Sequence, residues 1–195
     1  QPTYPFDCLT DLNANLRLQV WAVDPMIKPT DNWERVRKAG LEERILPLNG
    51  EAHQLPFPQG FFDAVIGLNS LWYFATDELY LGRCLIPLVK PGGQFGVVMP
   101  GFYHDFEGDL PENLPEHLKR YWDSCALRAW HSAEWWRRHW AKNGQVEVLL
   151  ADNFPENEGY QTYLRWEQIL EYDQPLAADD AGRNITFVRL VARRK

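Results

Sequence analysis

The sequence predicts an α/β fold with a doubly wound, mostly parallel sheet and an antiparallel C-terminal strand. Apolar runs at 16–23, 64–68 and 94–99 alternate with helical patterns, as expected for successive strand–helix–strand units. Two of these runs end in a polar residue, Asp24 and Asn69. Because sheets of this kind bind their ligands at the carboxyl ends of the strands, these two ends are the expected site.

The first strand, 16–23, is followed by a predicted helix and a short edge strand. Asp31 and Glu34 have the spacing of a capping box, which predicts a helix that begins there and ends at Gly40. Residues 44–48 are predicted as a strand that contains Pro47. Proline cannot donate a ladder hydrogen bond, so this strand is expected at a sheet edge.

The middle of the chain predicts a buried strand over 64–68, a helix, and a second buried strand over 94–99. Thr76 is the expected N-cap of the helix, and residues 91–93 are its expected end. The helix has apolar positions at i, i+3, i+4 and i+7, namely Leu81, Cys84, Leu85 and Leu88.

The C-terminal part departs from the regular alternation. An aromatic insertion over 102–131 precedes a predicted helix over 132–144, which a serine begins and a glycine ends. The last two apolar runs, 146–150 and 185–192, are expected to pair antiparallel. Residues 151–184 between them show no convincing crossover helix and are expected to form an irregular aromatic excursion.

The 195 residues are expected to form one domain over 1–195, a monomer or homodimer. A net charge of −7 without a basic stripe argues against nucleic acid. Three widely spaced cysteines, Cys8, Cys84 and Cys125, favour a reducing cytoplasm over a disulfide framework. The sequence contains no membrane-length apolar run, signal-peptide pattern or metal-ligand constellation.

Three segments in order carry a resemblance to a known family: VWAVDP, then GEAHQLPFPQGFFDAVIGLNSLWYF, then LVKPGGQFGVVMPG. Together they resemble the class I S-adenosylmethionine-dependent methyltransferases of the small-molecule type, over roughly residues 8 to 101. The resemblance implies a Rossmann-like fold, S-adenosyl-L-methionine as the cofactor, and methyl transfer to a small-molecule acceptor. The terminal antiparallel hairpin of the family matches the last two strands more weakly.

The resemblance implies a cofactor role for the residues after the first matched strand. Asp24 corresponds to the acidic residue that accepts hydrogen bonds from both ribose hydroxyls, which a carboxylate can do at once. Pro25 and Met26 would border the adenine face. An ordinary turn role for Asp24, just before a proline, is the alternative.

Further cofactor residues follow from the same resemblance. Glu51 and Ala52 match the acidic-small pair that contacts the adenine edge, and His53 belongs to the same loop. Asn69 would face the methionine part of the cofactor. The alternatives are a solvated loop charge for Glu51 and a strand-end cap for Asn69.

The glycine-rich loop that ends the first strand of the family has no counterpart. Residues 8–12 resemble the end of that strand, with Asp11 as its acidic residue and a candidate cofactor-binding residue, whereas 13–17 resemble the end of the following helix. A parallel crossover needs about a dozen residues or more, so we hypothesise that the sequence joins two segments near Leu12 and Asn13. A spacing of about 3.8 Å between consecutive Cα atoms throughout this region would refute the junction. The protein would then be a degenerate relative unable to hold the cofactor.

Candidates for the methyl-transfer chemistry follow the strand over 94–99. His104 is a candidate general base, because free imidazole has a pKa near 6.5, and Tyr103 would orient the substrate. His131 is expected to line the pocket or to cap the next helix. For all three, a loop or packing role is the alternative. The tryptophans of the second half are expected to fill a core, with an aromatic lid over the cofactor as the other possibility.

Two further function classes stay open. A non-catalytic binding or assembly protein would show no cofactor binding. A nicotinamide-dependent oxidoreductase also has an acid after its second strand, but it would show a pyrophosphate-binding GxGxxG, which this sequence lacks.

Overall fold

The structure of the protein is a computed structural model, and the chain divides into two compact units, Gln1–Pro56 and Phe57–Lys195. The described residues fall in five ranges: 18–106, 111–122, 127–155, 157–170 and 175–195.

Strands and helices alternate through most of the described chain. The strands are β1 Val20–Val23, β2 Ile45–Leu48, β3 Phe62–Leu68, β4 Val89–Phe102, β5 Val146–Asn153 and β6 Ile185–Arg194. The α-helices are α1 Pro29–Lys38, α2 Glu78–Tyr80, α3 Glu116–Lys119, α4 Ala133–Lys142, α5 Glu158–Leu170 and α6 Leu176–Asp180. Short 3-10 turns lie at Leu71–Tyr73, Ile86–Leu88 and Leu127–Ala129, and a π-helical turn at Leu81–Leu85.

The N-terminal unit contains a parallel pair of strands with one helix. β1 and β2 pair in register from Val20 opposite Ile45 to Val23 opposite Leu48. The helix α1 begins with Pro29, a residue whose fixed φ and missing N–H suit the first helical position. The predicted capping box is therefore wrong, because Asp31 lies inside the first turn and its side chain does not cap the helix.

The C-terminal unit contains a four-stranded sheet in the order β3-β4-β6-β5. β3 pairs parallel with β4, and β6 runs antiparallel to both β4 and β5. The predicted α/β class with an antiparallel C-terminal strand is confirmed. β6 lies between β4 and β5, so this last strand connects β5 to the parallel pair of β3 and β4.

The two faces of this sheet are covered unequally at β3. Phe95, which lies opposite Val65, packs its ring 5.4 Å from that of Trp140 on α4. Residues of β3 point alternately to the two faces, and Ile66 and Leu68 are 62% and 53% exposed on the other face. The prediction of a fully buried strand is therefore wrong for this second face.

Three helical predictions can be compared with the structure. Asp77 caps α2, its carboxylate accepting a hydrogen bond from the Leu79 N–H at 2.8 Å, so the predicted cap at Thr76 is wrong by one position. Ser132 caps α4 as predicted, and Gly144 follows this helix with a left-handed φ of 73°. The predicted irregular excursion over 151–184 is wrong, since it contains α5 and α6.

Aromatic side chains build a second core between the insertion, α5 and β6. The tryptophans Trp122 and Trp130 are buried in this cluster, beside Phe102, Tyr163 and Phe187. The prediction that tryptophans fill a core is confirmed here. This packing holds the described part of the insertion, within 111–122 and 127–131, against the end of β4. Within the described residues no helix has the length and apolar character that crossing a membrane requires.

Candidate active site

Asp24 follows β1 in the N-terminal unit and organises the loop that leaves the strand. Its Oδ1 accepts hydrogen bonds from the backbone N–H of Met26 at 2.7 Å and of Ile27 at 3.0 Å. Among the described residues its second oxygen, Oδ2, accepts no hydrogen bond. The carboxylate therefore has the turn role that was the alternative, and its second oxygen, without a partner among the described residues, can accept from a ligand.

Asn49 connects the loops that follow β1 and β2, a role that the sequence analysis missed. Its Nδ2 donates hydrogen bonds to the carbonyls of Asp24 and Pro25, both at 3.0 Å. A Cβ built on the next residue, Gly50, would lie 3.7 Å from Val23. The Asp24 loop and the loop that contains Glu51 are therefore neighbours within this unit.

The remaining adenine-side candidates lie on these two loops. Met26 is 88% exposed, and Pro25, Glu51 and His53 are exposed as well, whereas Ala52 is half-buried. The Glu51 carbonyl accepts a hydrogen bond from the Gln54 N–H at 2.9 Å, closing a turn over 51–54. The structure thus brings these predicted residues together on one pair of loops.

Asn69 ends β3 in the C-terminal unit with a left-handed φ of 51°. Its N–H donates to the Val98 carbonyl at 2.8 Å, which holds the residue against β4. The indole Nε1 of Trp72 donates to Asn69 at both the side-chain oxygen, 3.1 Å, and the backbone oxygen, 3.2 Å. Trp72 was not among the predicted site residues.

His131 is held at the end of β4 by its backbone. Its carbonyl accepts a hydrogen bond from the Phe102 N–H at 3.4 Å. A Cβ built on Gly101 would lie 2.5 Å from the same carbonyl oxygen, so a side chain at this position would displace the segment. The close backbone approach requires glycine here and positions His131 beside the strand end.

Asp105 and the N-cap of α4 fix the start of the helix next to His131. The Asp105 carboxylate accepts hydrogen bonds from the Ser132 N–H at 2.8 Å and the Ser132 Oγ at 2.7 Å. The same Oγ accepts a hydrogen bond from the Trp135 N–H at 3.1 Å. His131 Nδ1 lies 3.9 Å from Asp105 Oδ1. His131 therefore does not cap the helix, and the pocket-lining alternative stays a prediction.

The imidazole of His131, just before α4, stacks with two rings of that helix, Trp135 and His139, at a spacing of four residues. Its ring centroid lies 3.7 Å from that of Trp135, which in turn lies 4.5 Å from that of His139. Burial lowers the pKa of His131 to about 4, and the charge of Asp105 opposes this only partly. The ring is therefore neutral at neutral pH and can accept a hydrogen bond. Burial also lowers the pKa of His139, whose Nε2 donates to the Ala75 carbonyl at 2.8 Å.

The other two predicted catalytic residues, Tyr103 and His104, follow β4 and are held by fewer contacts than His131. The Tyr103 N–H donates to the Asn184 carbonyl at 2.9 Å, which ties its backbone to the start of β6. His104 is exposed, and no hydrogen bond or ion pair joins it to the described residues. Asp11 and the proposed junction near Leu12 and Asn13 lie outside the described residues.

Three residues of the candidate site were not predicted from the sequence, all for the same reason. Asn49, Trp72 and Asp105 act on residues that the motifs name, through side-chain contacts, and no motif includes them. The spacing of Asn69 and Trp72, three residues apart, was the one local signal available. Within the described residues, no group of three or more His, Cys, Asp or Glu side chains is arranged to hold a metal ion.

Comparisons with known proteins agree with this geometry. Residues 8–97, just under half of the chain, match the family described as a methyltransferase domain. No curated protein matches the sequence. Solved structures share the fold at low sequence identity, so their likeness concerns the fold.

One similar structure is described as a sarcosine dimethylglycine methyltransferase from Galdieria sulphuraria; it has a TM-score of 0.67 and 14% identity, over 90% of this chain and 69% of that one. The 4+2 cyclase SpnF has a TM-score of 0.66 and 19% identity, over 97% and 70% of the two chains. The geranyl diphosphate C-methyltransferase from Streptomyces coelicolor A3(2) has a TM-score of 0.66 and 14% identity, over 91% and 63%.

These likenesses confirm the Rossmann-like α/β fold, with its mostly parallel sheet and antiparallel C-terminal strand. The matched region contains the strand ends at Asp24 and Asn69, and the order of its segments is the one on which the resemblance was based. Over residues 8–97 the chain is therefore similar to methyltransferase domains, and it shares its fold with structures described as methyltransferases, one of them in complex with S-adenosylmethionine.

Proposed function

We propose that the protein transfers a methyl group from S-adenosylmethionine to a small-molecule acceptor, with His131 accepting a hydrogen bond or proton from the acceptor. The observation that carries this proposal is the position of His131, a neutral imidazole held at the end of β4 by Gly101 and stacked on Trp135. Such a fixed acceptor group can orient the nucleophile through a hydrogen bond, whereas its pKa of about 4 makes it a weak base for the proton that is lost on methylation.

The loops of the N-terminal unit are proposed to bind the adenosine part of the cofactor. The free Oδ2 of Asp24 would accept from the ribose hydroxyls, with Pro25 and Met26 beside the adenine. Glu51, with Ala52 and His53 on the same loop, would approach the adenine edge. When bound, the cofactor supplies an electrophilic methyl group on a sulfonium. Asp11, which lies outside the described residues, is proposed as a further cofactor-binding residue on the basis of the resemblance alone.

His131 is favoured over the other two catalytic candidates because its orientation is fixed. The stack on Trp135 and the neighbouring Asp105 restrain the ring, whereas His104 is exposed on its loop. Tyr103, half-buried on the same loop, would orient the acceptor. Orientation matters because methyl transfer is an in-line displacement, in which a small misplacement costs much of the rate.

The acceptor is expected to be apolar or flat. The aromatic cluster that adjoins the end of β4 contains Phe102, Trp130 and Tyr163, with the ring centroids of Trp130 and Tyr163 5.4 Å apart. These three rings are buried in the core, so the partly buried aromatic side chains packed against it, Trp72 and Phe106, are the ones that could face an acceptor and exclude water. We propose that the insertion over 102–131 serves as this lid within a single domain over 1–195. The proposed setting is the cytoplasm, as a monomer or homodimer that does not bind nucleic acid.

The test begins with calorimetric titration of S-adenosylmethionine and S-adenosylhomocysteine, followed by an acceptor screen that detects S-adenosylhomocysteine formation. With an acceptor found, His131→Gln should lower kcat about 100-fold with little change in KM, while His104→Gln should retain the wild-type rate. Because the pKa of His131 is about 4, this residue should produce no inflection of the rate between pH 5 and 8. Equal loss in both variants would contradict the assignment of His131.

A non-methylating role is the second candidate, favoured by one observation. A structure described as a cyclase shares this fold over nearly all of the chain. The fold alone therefore does not restrict the chemistry to methyl transfer. If the protein binds neither S-adenosylmethionine nor S-adenosylhomocysteine, the binding or assembly function replaces the enzymatic one.

A further inference from the structure

The orientation of the Asn69 side chain is set by a neighbour that can only donate. Trp72 Nε1 lies 3.1 Å from Asn69 Oδ1 and 3.2 Å from the Asn69 backbone oxygen. An indole nitrogen has one hydrogen and no acceptor lone pair. The amide atom that faces Trp72 must therefore be the oxygen, because a flipped amide would set two donors against each other.

The backbone at Asn69 leaves little freedom for another arrangement. The left-handed φ of 51° is a conformation that asparagine tolerates better than most residues. The N–H is engaged by the Val98 carbonyl at 2.8 Å, and the carbonyl by Trp72. The backbone N–H, the backbone oxygen and the side-chain oxygen are all occupied, and among the described residues the amide NH₂ of Asn69 has no hydrogen-bond partner.

Trp72 is itself held by aromatic packing. Its ring meets that of Trp130 edge-on, with centroids 6.0 Å apart at 82°, and that of Tyr73 at 5.6 Å and 89°. Trp130 is buried in the aromatic core cluster. The core of the insertion thus reaches the end of β3 through Trp72 and fixes a side chain at the candidate site.

We propose that Trp72 is a positioning residue that presents the Asn69 amide as a hydrogen-bond donor to an anionic group of the ligand. This inference rests on the proposed function: the anionic group would be the carboxylate of S-adenosylmethionine, whose methionine part Asn69 is expected to face. An amide NH₂ offers two hydrogens, and a carboxylate accepts them without a change of protonation.

The test compares two ligands that differ at this end. S-adenosylhomocysteine has the aminocarboxylate, and 5′-methylthioadenosine has the same adenosine and sulfur without it. Trp72→Phe, which keeps a ring but removes the donor, should weaken S-adenosylhomocysteine about tenfold and change methylthioadenosine by less than about twofold. Asn69→Asp, which keeps an oxygen for Trp72 and replaces the amide donors by a charge, should show a larger loss with the same selectivity.

Two further variants distinguish a positioning role of Trp72 from a purely structural one. Trp72→His retains an N–H donor and should recover part of the lost affinity, while Tyr73→Phe, at an exposed neighbouring ring, should bind both ligands as the wild type does. Equal weakening of both ligands by Trp72→Phe, or no weakening of either, would overturn the inference.

A measurement without ligand keeps this result distinct from failure of the proposed function. In the NMR spectrum of the free protein, Asn69→Ala should shift the Trp72 indole N–H resonance and speed its hydrogen exchange. An unchanged resonance would overturn the hydrogen bond itself. If the wild type binds neither ligand while this resonance shifts, the proposed function and the ligand assignment are overturned, and the orienting contact is retained.

Discussion

The two compact units hold their candidate residues in different ways. In the N-terminal unit the Asp24 carboxylate is fixed by backbone N–H groups two and three residues away. In the C-terminal unit the contacts that fix His131 come from Gly101 and Asp105, about thirty residues earlier in the chain. Local contacts can be inferred from a motif, whereas contacts of long sequence separation depend on how the whole unit packs.

The largest expected effect of a substitution is on the stability of the C-terminal unit. Asp180 is fully buried, and its carboxylate accepts hydrogen bonds from the Asn184 N–H, the Asn184 side chain and the Ile185 N–H, beside His117. Asp180→Ala should lower the free energy of unfolding by about 3 kcal/mol, because buried donors lose their acceptor. Urea unfolding measures this, and Glu116→Ala, at an exposed ion pair, is the control that should behave as the wild type.

The Asp180 carboxylate also determines in which direction the free energy of unfolding changes with pH. Burial alone would raise the pKa of Asp180, but the hydrogen bonds from His117, Asn184 and Ile185 outweigh it and lower the pKa. A carboxyl with a lowered pKa stabilises the folded state above its unfolded pKa, and that contribution is lost as the pH falls through the folded pKa. Asp180→Asn should therefore show a shallower loss of unfolding free energy on acidification. An equal slope in both proteins would contradict the role of this group.

The features that the sequence predicted are the ones that short stretches determine. Ser132 and Gly144 bound α4 as expected, and the antiparallel pair of β5 and β6 follows from two apolar runs. Asp24 and Asn69 were predicted as site residues because a strand end fixes where the next side chain lies, and their ligand roles stay predictions.

The errors have physical causes of longer range. The apolar pattern of β3 does not reveal that the face containing Ile66 and Leu68 is exposed, because coverage depends on elements elsewhere in the chain. The helix α5 was missed because it turns the polar Glu167 inward, where the carboxylate accepts the Ala177 N–H at 3.0 Å. Burial raises the pKa of this carboxyl, which only the tertiary fold explains.

The ligand role of Asp24 is the sharpest test of the N-terminal unit. Asp24→Ala should weaken binding of S-adenosylhomocysteine about 100-fold, since it removes a carboxylate that accepts from two hydroxyls. Asp24→Asn separates the two roles of the residue. Its side-chain oxygen can still accept from Met26 and Ile27, so the turn is kept, while the free acceptor oxygen is replaced by a donor. Wild-type affinity in Asp24→Asn would reduce this residue to its turn role.

The smallest expected effect concerns Asn49, which reaches from one loop of the N-terminal unit to the other. Its amide donates to the carbonyls of Asp24 and Pro25, so Asn49→Ala should loosen the Asp24 turn and weaken S-adenosylhomocysteine about fivefold by calorimetry. Asn49→Asp has the same shape without the donors and should lose at least as much. Because Asn49 acts only through Asp24, its removal in the Asp24→Ala background should add nothing. Additive losses would mean that Asn49 contacts the ligand itself. The N-terminal unit would then bind the ligand through Asn49 as well as through a locally fixed Asp24.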